Sequence, residues 1–318
     1  MNIFDILKRG KNKPSEDSEN FCIVYHPKYD LDLGAHVFPA TKFSKIMERI
    51  EKDGSFSKFQ VHHPEKAEVS DLRLVHTEEY LKNLFELNRN HSTSYSELPL
   101  TSEIVNSFVL ACGGTILATE LTQTHKFVFH VGGGFHHSFP EHAEGFCYLN
   151  DAAIGTRYFQ RKFPQKKVLL IDLDLHQGNG NSYIFEGDHT VFTFSMHQGN
   201  LYPKKENSTL DISLDEGCGD AIYLKQLEKG LKKIGSTFKP DLIYYLAGAD
   251  PYENDTLGSL NITISGLIQR DALVKKFAEK VKCPVVVLLA GGYAKDFSDT
   301  IQIHLNTAGV FADIIQSV

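Results

Sequence analysis

The segment that most constrains this chain places charged side chains directly after an apolar strand. The run Val168–Ile171 is apolar enough for a buried parallel strand, and Asp172, Asp174 and His176 follow it at alternate positions. Alternation along an extended chain turns these three polar side chains to one side. A buried charge without a partner costs several kcal/mol, so a cation is the simplest partner. Aspartate with histidine suits a divalent metal of the zinc, iron or manganese kind.

Other apolar runs predict further strands, and helical patterns lie between them. The predicted strands are Phe21–Tyr25, Phe127–Val131, Val168–Asp174, Val191–His197, Asp241–Ala249 and Pro284–Ala290. Helical spacing of apolar residues marks 43–50, 77–85, 102–122, 224–234 and 267–277. This alternation predicts an α/β protein with one mostly parallel, multi-stranded sheet and helices on both faces. We expect a polar, flexible leader over residues 1–20 and a single domain over 21–318.

Polar side chains recur at the carboxyl ends of the predicted strands, where ligands bind in open parallel sheets. These ends are Gly132–His137, Asp174–His176, Ser195–His197, Gly248–Asp250 and Gly291–Tyr293. Because polar residues follow five predicted strands, we expect these residues to form one shared site.

Asp174, His176 and Asp250 are the candidate metal ligands. Two carboxylates and one imidazole leave positions open for water and substrate, which is typical of a catalytic metal. The alternative is a buried Asp–His hydrogen-bonded pair with an unrelated aspartate capping a loop. Asp250 ends a strand as apolar as Leu242–Leu246, which favours the metal site.

The tandem His136-His137 follows three glycines, which allow a loop to fold tightly over a site. A neutral imidazole can take a proton from water and later give it to a leaving amine. Asp172 and Asn179 are candidate orienting partners, and the ring held by the neutral amide suits the base role. Alternatively, His136 and His137 are polar surface residues. Asp172 could equally cap a helix or bind a cation.

Three aromatic residues complete the candidate site. Tyr293, after two glycines, can donate its phenol hydrogen bond to an oxyanion. Phe146 and Tyr202 can wall a narrow apolar channel. Each of the three, taken alone, is equally compatible with ordinary packing.

Composition limits the function classes. The 318 residues carry a net charge of −7, which gives no electrostatic support for nucleic-acid binding. Five scattered cysteines without a CxxC pair indicate reduced thiols, and we expect a cytoplasmic protein. No apolar run looks long enough to span a bilayer, and the first residues lack a signal-peptide core.

Together these motifs resemble the zinc-dependent histone deacetylase superfamily, which shares the arginase–deacetylase α/β fold. They are GGGFHH at Gly132–His137, GFCYLND at Gly145–Asp151, IDLDLHQGNG at Ile171–Gly180, AGAD at Ala247–Asp250 and GGY at Gly291–Tyr293. Class IV and its bacterial relatives resemble the chain most, because class I enzymes carry aspartate at Asn179 and Phe-Pro at Tyr202-Pro203.

The resemblance implies a role for each matching position. Asp174, His176 and Asp250 would hold one zinc ion per chain. His137 would act as base and then acid, with His136 as its electrostatic partner, and Tyr293 would polarise the scissile carbonyl. The acyl-lysine tunnel would be formed by Gly145, Phe146, Tyr202 and Leu257. A potassium ion would bind at Asp172, Asp174, His176, Ser195 and Met196.

The expected activity is hydrolysis of an Nε-acyl-lysine amide, acetyl or longer, on a protein or peptide. A small acylated amine such as an acetylpolyamine would need an acidic residue at the tunnel mouth. The sequence does not place one, and 95–101 gives no equivalent of the class I rim aspartate. An arginase-like dimetal site would need a carboxylate where Gly178 stands. A non-catalytic acyl-lysine-binding module is the alternative from another class.

Overall fold

The computed structural model describes residues 20–31, 33–34 and 36–315. The chain forms eight strands: β1 (Phe21–Val24), β2 (Val61–His62), β3 (Phe127–His130), β4 (Val168–Asp172), β5 (Val191–Gln198), β6 (Leu210–Leu214), β7 (Leu242–Leu246) and β8 (Val285–Leu288). Except for β2 and β6, they are apolar and often β-branched, as buried strands require. They form one sheet of eight strands in the order β2-β1-β3-β8-β7-β4-β5-β6, and every pairing is parallel.

Most helices lie between strands along the chain, and the last one follows β8. They are α1 (Lys42–Lys52), α2 (Val69–Leu72), α3 (Glu78–Phe85), α4 (His91–Ser94), α5 (Ser102–Leu121), α6 (Asp151–Lys162), α7 (Asn179–Ile184), α8 (Asp220–Thr237), α9 (Ile264–Val281) and α10 (Phe297–Phe311), with short 3-10 helices at Pro27–Tyr29 and Gly54–Phe56.

The sheet is buried on both faces, which explains its near-continuous apolar strands. In β4, Leu169 and Ile171 belong to one core cluster, whereas Val168 and Leu170 belong to another on the opposite face. The predicted α/β class with one parallel sheet is confirmed. The leader expected over 1–20 lies outside the described residues except for Asn20, and the proposed division into leader and domain stays a prediction.

The strands β2 and β6 and the helices α6 and α10 were not predicted from the sequence. The edge strand β2 has only two residues, and β6 alternates exposed with partly buried positions, so neither forms an apolar run. Helix α6 buries small residues, and α10 buries polar ones such as His304 and Thr307. Apolar periodicity is therefore weak in both helices, although Asn150 and Asp296 cap them as a helix start requires.

The sequence-based statement about membrane-spanning runs needs a correction. Among the described residues, α5 is long and apolar enough to cross a bilayer by length and composition. However, 72% of its apolar window is buried inside the protein, where it packs against α6 and the sheet. Burial on most sides explains why α5 lacks a continuous polar face.

The strand order brings the predicted polar ends together. Strands β3, β8, β7 and β4 are adjacent in the sheet, and β5 lies beside β4. Their carboxyl ends carry the histidine loop, the GGY segment, Asp250 and the Asp174–His176 segment. Residues that are far apart in sequence are therefore neighbours at one edge of the sheet.

A buried carboxylate fixes the loop that carries the tandem histidines. Asp151, at the start of α6, accepts hydrogen bonds from the backbone N–H groups of Gly134 and Phe135 and from the Thr115 hydroxyl. Gly133 and Gly134 have positive φ angles, and a Cβ at Gly133 would lie 2.4 Å from Asp151 Oδ2. The glycines thus allow the backbone to reach this acceptor.

We predict that Asp151→Ala lowers the free energy of unfolding by about 2–4 kcal/mol, because it leaves buried N–H groups without an acceptor. Asp151→Asn keeps one oxygen toward Gly134 and Phe135, so it should lose less than half as much. Urea unfolding of both variants tests this. Equal losses in the two variants would contradict the role of the carboxylate oxygen.

Candidate active site

A cavity of about 230 Å³ opens over the carboxyl edge of the sheet. Most of the predicted site residues line it: His136, His137, Gly145, Phe146, Asp174, His176, Tyr202, Leu257 and Tyr293. Asp172, Asn179, Ser195, Met196 and Asp250 do not line the cavity and are buried. The cavity therefore has chemical groups at its base and mainly aromatic and aliphatic walls.

The three candidate ligands meet at the base of this cavity. The ligand atoms of Asp174, His176 and Asp250 all lie within 4.8 Å of one another. His176 Nδ1 is 3.3 Å from Asp174 Oδ1 and 3.3 Å from Asp250 Oδ2. All three residues are buried. Two carboxylates with one imidazole form a donor set suited to zinc with open coordination positions.

Backbone hydrogen bonds hold the carboxylates and leave one oxygen free. Asp174 accepts from the N–H groups of His176 and Gly291, and Asp250 Oδ1 accepts from that of Leu175. Asp250 Oδ2 is buried and accepts no hydrogen bond of good geometry from the described residues; its neighbour at 3.3 Å, His176 Nδ1, is itself a candidate ligand. Such an atom is costly unless a cation or water satisfies it. The residues present therefore fit a metal ion.

Two glycines make this close approach of carboxylates possible. A Cβ at Gly291 would lie 2.2 Å from Asp250 Oδ2, and one at Gly248 would lie 2.5 Å from Asp174 Oδ2. Larger residues at either position would push the carboxylates apart. Burial and the neighbouring Asp174 carboxylate raise the pKa of Asp250 to about 7. A bound cation would remove this penalty on the ionised form.

The structure leaves no space for the extra carboxylate of an arginase-like dimetal site. At the position where that chemistry needs it, Gly178 would place a Cβ 2.2 Å from Asp172 Oδ2 and 3.2 Å from His136 Nδ1. Any side chain there would displace the pair formed by Asp172 and His136. This geometry favours one metal ion in the cavity.

The tandem imidazoles have different partners. His136 Nδ1 lies 2.8 Å from Asp172 Oδ2, whereas His137 Nδ1 lies 2.7 Å from Asn179 Oδ1. Their Nε2 atoms are 3.1 Å apart. Each ring is thus held from behind and directs its other nitrogen toward the cavity.

These partners separate the pKa values of the two rings. Burial lowers the pKa of His136, but the carboxylates of Asp172 and Asp174 outweigh it and raise the value to about 9. Burial, the neighbouring His136 and His176 hold the pKa of His137 well below its usual range. At neutral pH the cavity therefore pairs a charged imidazole with a neutral one, which can act as a base.

Sequence reasoning missed a carboxylate that orients Asn179. Glu144 Oε1 accepts hydrogen bonds from Asn179 Nδ2 at 2.8 Å and from the Tyr202 hydroxyl at 3.2 Å. Burial raises the pKa of Glu144, but hydrogen bonds from His142, Asn179 and Tyr202 outweigh it and lower the net value. Because Glu144 fixes the amide, Asn179 presents its oxygen to His137. The one sequence signal for Glu144 is its position just before the GFCYLND motif.

A second missed carboxylate positions the tyrosine segment. Asp255 accepts from the N–H groups of Leu257 at 2.9 Å and Tyr293 at 2.7 Å. It therefore links the loop of Leu257 to the loop of Tyr293, and both residues line the cavity. Burial raises the pKa of Asp255 to about 6. Its place in a loop after β7, without a periodic pattern, gave no sequence signal.

Aromatic rings form the cavity wall. Phe146 lies with its ring centroid 6.1 Å from that of Phe38 and 6.1 Å from that of Tyr293. Gly145 and Phe146 both have positive φ angles, and a Cβ at Gly145 would lie 2.7 Å from the Tyr202 hydroxyl. The turn at Gly145 thus brings the phenylalanine into the wall, and Phe38 is a wall residue that the sequence did not indicate.

The structure corrects the statement that no acidic residue can be placed at the mouth. Glu97 is exposed, lines the cavity and has a positive φ of 61°. It lies within 95–101, the rim segment in which the sequence gave no equivalent of the class I aspartate. Its negative charge contributes to the raised pKa of Tyr202, after burial and the Glu144 charge.

A buried lysine also lines the cavity, although the sequence gave no reason to expect one. Lys42 Nζ donates a hydrogen bond to the Ala290 carbonyl and lies 5.3 Å from the Phe38 ring centroid. Burial lowers its pKa to about 8, against the opposing effect of Asp250 and Asp174. Its positive charge partly balances the two carboxylates at the base of the cavity.

The predicted potassium residues lie behind the metal ligands. Asp172 in β4 is the register partner of Ser195 in β5, so these two side chains are neighbours. The Ser195 hydroxyl is 2.9 Å from His197 Nδ1, and Met196 is fully buried. The structure thus brings the residues together but gives no further sign of a second cation there.

Comparison with known proteins identifies the family. Residues 36–308 match the histone deacetylase domain. The chain belongs to the histone deacetylase family. This match confirms the resemblance and makes the protein a deacetylase-type hydrolase.

Relatives come from several kingdoms of life. An uncharacterized protein of Picosynechococcus is 38% identical over 287 residues, which cover 89% of this chain and 96% of that protein. Histone deacetylase 2 of Arabidopsis thaliana is 29% identical over 315 residues, with coverage of 93% and 78%. A probable deacetylase of Archaeoglobus fulgidus is 28% identical over 292 residues, with coverage of 86% and 81%.

We predict that Glu144→Ala lowers the deacetylase kcat/KM by about 10–100-fold, because Asn179 loses the acceptor that fixes its amide. Glu144→Gln keeps an oxygen for Asn179 and should stay within a few-fold of wild type. Steady-state kinetics of both variants on one acylated substrate measures this. Equal impairment of the two variants would show that the charge, not the orientation of Asn179, matters.

Proposed function

We propose that this deacetylase hydrolyses Nε-acyl-lysine amides with one zinc ion held by Asp174, His176 and Asp250. The observation that carries the proposal is the meeting of two buried carboxylates and one imidazole at the base of the cavity, where Asp250 Oδ2 accepts no hydrogen bond of good geometry. When bound, zinc supplies Lewis-acid polarisation of the acyl carbonyl and lowers the pKa of water.

The protein's own groups account for the proton transfers. His137 is neutral and held by Asn179, so it can take the proton of the attacking water and pass it to the leaving amine. His136 stays charged beside Asp172 and stabilises negative charge that develops nearby. Tyr293 donates its phenol hydrogen bond to the acyl oxygen, and burial keeps its pKa well above the usual range, so it stays a donor.

The lining of the cavity supports a substrate that carries an alkyl chain. Phe38, Phe146 and Leu257 give it apolar walls, as an alkyl chain requires. The metal ligands and the tandem histidines lie at its base. This arrangement supports hydrolysis of an amide at the end of a chain such as lysine, and it weighs against a purely binding module because every chemical position is filled.

A small acylated amine is the second candidate substrate. Glu97 at the mouth supports it, because a carboxylate there attracts a second amine cation on the same molecule. The same carboxylate can also accept backbone N–H bonds from a peptide. We also propose that a potassium ion binds near Asp172 and Ser195, and that the protein acts in the reducing cytoplasm.

A substrate panel with and without a chelator tests the proposed function. Lysine peptides with acyl groups from acetyl to myristoyl, and acetylated polyamines, are assayed before and after metal removal. We expect hydrolysis of at least one acyl-lysine peptide, its loss with the chelator and its return with zinc. Tight acyl-lysine binding without hydrolysis, or hydrolysis of polyamines alone, would contradict the proposal.

We predict that Tyr293→Phe keeps the zinc content of the protein and lowers kcat by roughly 10²–10³-fold, as for other lost oxyanion donors. The phenyl ring keeps the packing against Phe38 and Phe146, so the hydroxyl is the variable. Elemental analysis and turnover on an acyl-lysine peptide are measured together. Wild-type turnover in the variant would remove Tyr293 from the mechanism.

We predict that Glu97→Gln separates the two substrate classes. If the carboxylate binds a cation, KM for an acetylpolyamine rises by about 10-fold while that for an acyl-lysine peptide changes little, because an amide oxygen still accepts peptide N–H bonds. Glu97→Ala should raise KM for both. Unchanged KM values for both substrates in Glu97→Ala would show that the mouth residue does not bind substrate.

A further inference from the structure

A second cluster of metal-binding side chains lies away from the catalytic cavity. Cys22 in β1, His62 in the edge strand β2 and His125 between α5 and β3 bring one donor atom each within 4.8 Å of one another. His125 precedes β3, whereas the catalytic histidines follow that strand. None of the three residues contributes to the deacetylase chemistry described above.

Hydrogen bonding holds the imidazole of His125 through its Nδ1 atom. His125 Nδ1 lies 3.3 Å from the Leu121 carbonyl oxygen and 3.0 Å from the Thr124 hydroxyl. The Thr124 hydroxyl itself donates to the Leu121 carbonyl at 3.2 Å, so both neighbours of Nδ1 are acceptors. The tautomer with the proton on Nδ1 satisfies them, and in it Nε2 keeps its lone pair. Metal-binding histidines are oriented by the same kind of bond from the ring nitrogen that does not bind the metal.

The other two donors have no competing hydrogen bond within the part of the chain that the structure describes. His62 Nε2 is buried and has no hydrogen-bond partner among the described residues. Its ring lies 6.1 Å from that of His125, edge to face, at an angle of 75°. Cys22 is fully buried on the same edge of the sheet. A buried imidazole nitrogen without a partner is costly, and a metal ion would satisfy it.

We propose that Cys22, His62 and His125 form a zinc site, with solvent in the fourth position. One thiolate and two imidazoles are ligands that zinc takes in tetrahedral sites. Donors of such a site lie roughly 3.3–3.7 Å apart at normal bond lengths. Since the donor atoms lie within 4.8 Å of one another, each donor–donor distance needs to shorten by no more than about 1.5 Å. Both histidines are partly exposed, so the site has a route to solvent.

The site would stabilise the weakest part of the sheet. Strand β2 has two residues and pairs only with β1. An ion bound to Cys22, His62 and His125 would join β2 to β1 and to the segment that enters β3. Packing of a small apolar thiol is the alternative role of Cys22, but it does not explain the free nitrogen of His62.

Cobalt substitution distinguishes this site from the catalytic one, because only this site supplies a thiolate. The full chain is loaded with Co²⁺ or Zn²⁺, and unbound metal is removed. We expect two ions per wild-type chain and a near-ultraviolet sulfur-to-cobalt charge-transfer band. Asp174→Asn should lose the catalytic ion and keep the band. Cys22→Ser should lose the band and keep one ion, and Cys218→Ser, a matched buried cysteine, should keep both ions and the band.

Two results would overturn the proposal. One is a wild-type chain that binds a single ion and shows no thiolate band. The other is a band that persists in Cys22→Ser, which would assign it to another thiol such as Cys147 in the wall of the catalytic cavity. If circular dichroism shows that Cys22→Ser does not fold, His125→Gln is used instead. It removes a partly exposed ligand, so we expect it to lose the second ion and with it the band, although the thiol is still present.

Discussion

The meeting of two buried carboxylates, Asp174 and Asp250, is the constraint on which the site depends. Both are buried, and Asp250 keeps an oxygen without a partner among the described residues. Like charges in a protein interior repel strongly, so this arrangement persists only if a cation is present or a proton is bound. The glycines at 248 and 291 permit it, since any Cβ there would collide with the carboxylates. The strand order β3-β8-β7-β4 brings the contributing segments to one edge.

The tandem histidines show how a fold gives two identical side chains different chemistry. Their ring centroids are 4.1 Å apart, yet His136 is held by a carboxylate and His137 by an amide. The first stays charged and the second stays neutral. Asn179 can play this part only because Glu144 fixes its orientation. A mechanism that needs a neutral base beside a fixed positive charge is therefore built into the hydrogen bonds behind the rings.

The parallel sheet and the residues at its carboxyl ends could be predicted from the sequence, because buried strands are apolar and polar residues that end them stand out. Asp172, Asp174 and Asp250 are examples. Glu144, Asp255 and Glu97 could not be predicted, since each lies in a loop whose path depends on tertiary contacts. Lys42 was hidden within an amphipathic helix, where a lysine normally faces water. Helices α6 and α10 were missed because small or polar residues fill their buried faces.

The cluster of Cys22, His62 and His125 was also invisible in the sequence. Its members are separated by tens of residues and follow no ligand spacing, and β2 itself was not predicted. Only the parallel pairing of β1 with β2 and β3 brings these donors together. The catalytic residues, in contrast, could be predicted, because the order of their motifs and their positions at strand ends are visible in the sequence itself.

An anomalous difference map of the zinc-loaded crystal, recorded at the zinc absorption edge, tests the central claim most directly. We predict a single peak in the catalytic cavity, within about 2.0–2.3 Å of Asp174, His176 and Asp250 donor atoms. A cavity without a peak, or one with two peaks roughly 3.5–4 Å apart as in dimetal hydrolases, would contradict the account.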